Sequence, residues 1–299
     1  MMSNTPSDTS FGAQAAGGAD HVAPQAWCDL IQRYCGLAFR SARLADVMLI
    51  VRDEMRARGI ASEKAYYRRL SNPSESAADW DALAVRLTNN ETSFFRHPPS
   101  FDALRRHILP ELRDARPRGG RLNFWSAGCS TGQEAYSLAM LAMDDAPLQG
   151  EFTVWGGDIS HHAIEIARRG RYGHRAVATV PDEYRKRFLR PLGPDTAIDY
   201  EVVDELRRRV RFIATNLVEG GGFRLNYDVI FCHNVLIYFS PGAVTDVVTH
   251  LASCLKLGGY LLLGPGEAPH DRPPGLDTVS INGVRALHRR SARALEVRE

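Results

Sequence analysis

Lysine is nearly missing from this 299-residue chain. It occurs only at Lys64, Lys186 and Lys256, so the rest of the 37 basic residues are arginine. No run of them is dense enough to make a nucleic-acid tract, and 35 acidic residues hold the net charge to +2. Nucleic acid is therefore not an expected partner, whereas arginine suits carboxylate or phosphate groups. Long apolar runs are missing too. The stretch over 260–263 is far short of the ~20 residues that span a bilayer, so no membrane insertion is expected. The first residues lack the basic start and apolar stretch of a secretion signal. Cys28, Cys35, Cys129, Cys232 and Cys254 include no CxxC pair and are odd in number. That argues against a disulfide framework. A soluble, cytoplasmic, monomeric protein without a metal is expected.

What is present falls into three parts. Residues 1–24 are rich in Ser, Ala, Gly, Thr and Asp, with almost no large apolar side chain. They cannot offset the entropy of ordering and are expected to form a disordered tail. Residues 25–96 show helical spacing, at Trp27, Leu30, Ile31 and Tyr34, then at Leu44, Val47, Met48, Val51 and Met55. Further short helices are expected over 65–70 and 80–87, with no strand before Asn123. This is a small helical domain and a connector. From residue 97 to 299 the pattern becomes α/β. Strands are expected over 122–127, 152–157, 210–214, 227–232 and 260–263. Helices are expected over 134–143, 161–169 and 244–255, the last closed by Gly258 and Gly259. Alternation at these lengths implies a parallel, Rossmann-like sheet. Residues 172–209, broken by Pro181, Pro191, Gly193 and Pro194, interrupt it as an inserted β-subdomain.

The run Gly128-Cys129-Ser130-Thr131-Gly132-Gln133-Glu134 sits between the first strand and its helix. Small residues there let backbone approach a ligand at the carboxyl edge of a sheet. The same run spells G-x-S-x-G, the elbow of an α/β-hydrolase with Ser130 as nucleophile. That alternative needs a later histidine: His233 and His250 are poorly placed for it, and His270 is the best candidate. Asp158, at the end of the second strand, can accept bonds from both ribose hydroxyls of a nucleoside, with Ser160 free to cap the following helix. NAD and S-adenosylmethionine both fit these residues, and the absence of a full G-x-G-x-x-G weakens the dinucleotide.

Three separated motifs then make the pattern specific: Asn90-Glu91-Thr92-Ser93-Phe94-Phe95-Arg96, the stretch from Gly128 to Met140, and Asn234-Val235-Leu236-Ile237-Tyr238-Phe239. Over about 27–268 the chain closely resembles the CheR family of chemotaxis receptor methyltransferases, which esterify glutamate side chains on receptor coiled coils. The resemblance implies a Rossmann-like S-adenosylmethionine-dependent methyltransferase domain with a helical N-terminal domain, and a β-subdomain where the insert falls. It implies that Asn90, Thr92 and Arg96 reach the cofactor from the connector, with Arg96 near the methionine carboxylate and the methyl-transfer site. Glu134 would take the methionyl ammonium and Asp158 the ribose. Asn216 and Leu217 would flank the adenine. His233 and Asn234 would line the pocket, and Tyr238 would sit near the methyl. Arg96 and Tyr238 are the implied catalytic residues, and a methyl-accepting chemoreceptor or a similar coiled-coil signalling protein is the implied partner.

A glutamate carboxylate is already anionic at neutral pH, so no general base is needed. Alignment alone can supply roughly 7–11 kcal/mol. The chain departs from the family at Ile50 and Glu54, where arginines of a basic, receptor-facing helix are expected, and at His233, where Arg is common. Gly264-Pro265-Gly266-Glu267 replaces the usual Gly-His-small-Glu. A non-catalytic module that binds S-adenosylmethionine is the alternative from another class.

Overall fold

The computed structural model describes residues 20–39, 41–88, 91–115, 120–145, 151–193, 200–220, 226–269 and 271–290. Most of the expected tail, residues 1–19, and the connector residue Asn90 lie outside them. Residues 20–22 do not hang free: Asp20 accepts the Glu63 amide at 3.2 Å, and Glu63 accepts the Val22 amide at 3.1 Å.

Four helices open the chain: α1 (Pro24–Cys35), α2 (Leu44–Ala57), α3 (Glu63–Leu70) and α4 (Pro73–Leu87). The spacing read from the sequence buries Trp27, Leu30 and Ile31 of α1 against Val47, Met48, Val51 and Met55 of α2. Tyr66 and Trp80 complete that core, and Tyr34 stacks on Trp80 with ring centroids 4.0 Å apart. Ser62 caps α3 through the Ala65 amide. Glu54 is not a surface replacement for a receptor-facing arginine. It is buried, and bridges Arg58 and Arg86, while Asp79 pairs with Arg58 and Arg69. Ile50 is half-buried against the same core.

The connector leads into α5 (Pro98–Ala103), a π turn over Leu104–Ile108, and α6 (Leu109–Ala115). Then come β1 (Leu122–Ala127), α7 (Gln133–Asp144), β2 (Phe152–Asp158) and α8 (His161–Arg169). The insert holds β3 (Arg171–Tyr172), α9 (His174–Val177), α10 (Asp182–Phe188), β4 (Leu189–Pro191), β5 (Tyr200–Val202) and α11 (Asp204–Arg207). Its three strands pair antiparallel in the order β3-β5-β4, so the interrupted stretch is a small sheet of its own. The main chain resumes with β6 (Val210–Ala214), β7 (Tyr227–Cys232), α12 (Pro241–Ser253), β8 (Leu255–Leu263), β9 (Leu276–Ile281) and β10 (Val284–Arg289).

The large sheet runs β6-β2-β1-β7-β8-β10-β9. Strands β6, β2, β1, β7 and β8 are parallel, and β10 and β9 close the sheet antiparallel. Connections turn one way after β1 and the other way at β7. The loops that leave the carboxyl ends of β1 and β7 therefore part to opposite sides and leave a crevice between them. β7 is buried along its whole length, as a central parallel strand requires.

Two expectations need correction. The helix expected over 244–255 starts earlier, at Pro241 after the capping Ser240, and stops at Ser253. Gly258 and Gly259 do not close it. They lie inside β8, where the register jumps between Tyr227↔Leu255 and Val229↔Tyr260. Gly258 has φ 81°, and a Cβ on Gly259 would sit 3.0 Å from the Tyr227 carbonyl oxygen. The glycines make a bulge, not a helix cap. The β9–β10 hairpin was not expected at all. Its Asn282-Gly283 turn has φ 49° and 80°, the left-handed pair that a two-residue hairpin turn demands.

Candidate functional site

The crevice at the switch point opens into a cleft of about 900 Å³, counting its mouth. Each neighbouring element delivers one segment to it. The loop after β1 brings Gly128, Ser130 and Glu134, and the end of β2 brings Asp158. The loop after β6 brings Thr215, Asn216 and Leu217. The loop after β7 brings His233, Asn234 and Tyr238, and the connector covers them with Thr92 and Arg96. Nine of the ten residues singled out from the sequence thus line one cleft. Asn90 lies outside the described residues.

Backbone strain collects here. Among the described residues, Phe95, Ser130, Asn234 and Asn282 are the non-glycine positions in the left-handed region, with φ of 50°, 48°, 61° and 49°. Ser130 and Asn234 line the cleft, and Phe95 precedes Arg96 in the chain. Such conformations persist only where surroundings over-determine them. Phe95 is held by a bond from its amide to Ser137 Oγ at 3.0 Å, and Phe94 by Thr179 at 2.7 Å. Both phenyl rings are buried, so the connector is anchored immediately before its exposed arginine. Arg96 donates to the Glu91 carbonyl at 2.7 Å. A Cβ on Gly128 would lie 2.3 Å from Val235 Cγ2, so the β1 loop can meet the β7 loop only through glycine.

Two carboxylates form the floor. Asp158 accepts the Ser130 amide at 2.7 Å and the Ser160 amide at 3.0 Å. Ser160 caps α8 through the Ala163 amide, so Asp158 is not the cap of that helix. Burial raises the Asp158 carboxyl above the ordinary aspartate value, against the opposing pull of the Ser160, Ser130 and Ile159 amides. Glu134 accepts Ser126 Oγ at 2.7 Å and His233 Nδ1 at 2.9 Å. The side chain of Asn216 donates to the Tyr34 carbonyl at 2.6 Å and accepts the Val218 amide at 3.1 Å. It both closes a turn and ties the β6 loop to the helical domain. That domain also reaches the cleft through Cys35 and Leu37, because Leu37 forms a β-bridge with Phe239. The Cys35 thiol, pushed up to about 12 by burial, is an inert wall.

The charge pattern selects a class of ligand. Glu91, Glu134 and Asp158 line the cleft together with Arg96. An anionic pyrophosphate would meet carboxylates here, whereas a nucleoside with a sulfonium, an ammonium and one carboxylate finds a counterpart for each group. A hydrolase would need an imidazole turned to Ser130. His233 faces Glu134 and Ser100, and His250 lies on α12 beside Cys254 at 3.8 Å. His270 lies outside the described residues. Among the described residues, no group of three or more His, Cys, Asp or Glu could hold a metal, and no helix is long and apolar enough to cross a membrane.

Sequence reasoning missed Cys35 and Leu37, which carry no local signal, and the buried Glu267, which shapes the β7 loop. The motif position three residues beyond Gly264 was its only mark.

Comparison with known proteins is consistent with this geometry. Residues 90–281 match the model of the CheR methyltransferase, SAM binding domain. A probable chemotaxis protein methyltransferase of Rhizobium etli is 32% identical over 248 residues, covering 81% of this chain and 92% of the relative. The chemotaxis protein methyltransferase of Salmonella typhimurium is 31% identical over 246 residues, covering 80% and 81%. A probable biofilm formation methyltransferase, WspC of Pseudomonas aeruginosa, is 32% identical over 256 residues, covering 84% and 58%.

Proposed function

Because the chain belongs to the CheR methyltransferase family and uses S-adenosylmethionine, we propose that it methylates glutamate side-chain carboxylates of a chemoreceptor or a related coiled-coil signalling protein in the cytoplasm. The observation that carries this reading is the convergence of Arg96, Glu134, Asp158 and Tyr238 on one cleft at the switch point.

S-adenosylmethionine supplies an electrophilic methyl carbon on a sulfonium, and its transfer to a carboxylate oxygen leaves S-adenosylhomocysteine. The protein's part is to bind, align and desolvate. Asp158 would accept the ribose hydroxyls and Glu134 the methionyl ammonium. The Asn216–Leu217 segment would flank the adenine, and His233 and Asn234 the methionyl chain. Thr92 and Asn90 would reach in from the connector. Arg96, exposed at the mouth, would sit near the methionyl carboxylate and position the incoming glutamate carboxylate, and Tyr238 would orient the latter by hydrogen bonding. No residue has to remove a proton, because the nucleophile is already ionised.

The exposed face of α2 keeps Leu49, 60% exposed, with Arg52 paired to Glu63 and Arg56 paired to Asp53, and an acidic receptor helix would dock there by competing for these arginines. The relative WspC, named a probable biofilm formation methyltransferase, supports a signalling protein outside chemotaxis as the second candidate target. The test is labelled methyl transfer from S-adenosylmethionine to receptor-bearing membranes. Radioactivity released by mild base identifies a carboxyl ester. Cofactor binding without any base-labile label would favour a non-catalytic module instead.

A further inference from the structure

His233 is almost sealed, with its side chain 3% exposed, and a chain of hydrogen bonds passes through it. Its Nδ1 lies 2.9 Å from Glu134 Oε2. Its Nε2 lies 3.4 Å from Ser100 Oγ, and the same hydroxyl lies 2.7 Å from His97 Nδ1. Ser100 is fully buried. The two imidazole rings are 5.6 Å apart, and Phe231 packs 4.8 Å from His233.

Donor and acceptor bookkeeping along the chain has one neutral solution. An ionised Glu134 can only accept, so His233 Nδ1 must carry a hydrogen. In a neutral ring Nε2 is then a lone pair, and the Ser100 hydroxyl donates to it. Ser100 Oγ in turn accepts from His97 Nδ1–H. Burial, with His233 beside it, holds the His97 imidazole below its ordinary value, which keeps that ring a neutral donor. The other neutral tautomer of His233 would aim a lone pair at a carboxylate. An imidazolium would set a cation where an ammonium has to bind.

We propose that Ser100 and His97 are positioning residues that lock His233 as its neutral Nδ1–H tautomer, so that Glu134 meets the cofactor's ammonium as a fully ionised, oriented carboxylate. Glu134 accepts one bond on each oxygen, from Ser126 and from His233, and each oxygen keeps a lone pair for the ligand. The inference rests on the reading of Glu134 as the ammonium site.

The experiment combines long-range 15N–1H correlation of the histidine rings at pH 7.5 with steady-state kinetics in S-adenosylmethionine. Wild-type His233, assigned with His233→Gln, should show a protonated Nδ1 and a bare Nε2. Ser100→Ala should mix the two tautomers and raise KM for S-adenosylmethionine about three- to tenfold, as loss of one oriented hydrogen bond does, with a smaller effect on kcat. A bare Nδ1 or a doubly protonated ring in the wild type overturns the proposal, and needs no variant to fold. So does an unchanged KM in Ser100→Ala. Glu134→Gln separates the two levels. If it loses cofactor affinity while Ser100→Ala does not, only the tautomer lock fails. If it binds cofactor like the wild type, the ammonium reading fails and takes the lock with it.

Discussion

The Glu267 carboxylate accepts the Asn234 backbone amide at 2.7 Å and so pins a residue held at φ 61° on the rim of the cleft. The same carboxylate takes the amides of Val235 and Leu236 at 2.7 Å and of Ile237 at 3.3 Å. Four successive donors on one buried anion fix the path of the chain from Asn234 to Tyr238. Gly264 makes room for this, since a Cβ there would lie 1.9 Å from Glu267 Oε2.

Glu267→Ala should therefore destabilise the protein by about 3 kcal/mol or more, because it orphans several buried amides at roughly 1–3 kcal/mol each. Glu267→Gln should recover part of this, as one of its two terminal atoms still accepts. Urea unfolding gives the stability, and calorimetry with S-adenosylhomocysteine should show affinity falling in the same order.

Arg96 is exposed, and its one described hydrogen bond is to the Glu91 carbonyl. Its removal leaves the core intact. Arg96→Ala should lower kcat about 100-fold or more, the scale of losing one charged donor at a reacting centre, with the melting temperature nearly unchanged. Wild-type turnover in this variant would remove Arg96 from the mechanism.

Asp158 sets a pH dependence whose sign follows from its raised carboxyl. The folded protein holds this proton more tightly than the unfolded chain. The group's contribution to stability is therefore complete below its unfolded value and is lost as pH rises through the folded one. Above that window Asp158 is ionised, which the ribose hydroxyls need. Cofactor affinity should accordingly weaken as pH falls into the window, and binding there should release protons. Calorimetry in two buffers of different ionisation enthalpy measures the release. Asp158→Ala should abolish it and cost at least about tenfold in affinity.

In the helical domain Asp79, its side chain 3% exposed, neutralises Arg58 and Arg69. Asp79→Ala should cost about 2–3 kcal/mol, less than a fully buried pair because Arg69 is half exposed. Fluorescence of the buried Trp27 and Trp80 should report the lower midpoint.

Much of the site was legible because its residues sit at strand ends and in compact motifs, where local spacing and chemistry coincide. Asp158 follows from a strand that stops, and Glu134 from a glycine loop that starts a helix. The connector motif was legible as a motif alone, since nothing in its spacing says that Phe94 and Phe95 are buried while Arg96 is not. Glu54 shows the limit in the other direction. As a letter it is a missing arginine on a docking helix, and in space it is a buried partner of Arg58 and Arg86.

The sequence by itself determined the class of fold and the alternation of strands and helices as far as β8, because periodicity is a short-range property, and its three compact motifs carried the cofactor through family resemblance. Only the tertiary structure decided which distant groups share a bond. Leu37 with Phe239, Asn216 with Tyr34, Glu267 with the amides after Asn234, and Ser100 with His233 are pairs separated by 30 to 202 residues. Their partnership depends on how sheet and helices pack, and no local pattern records it.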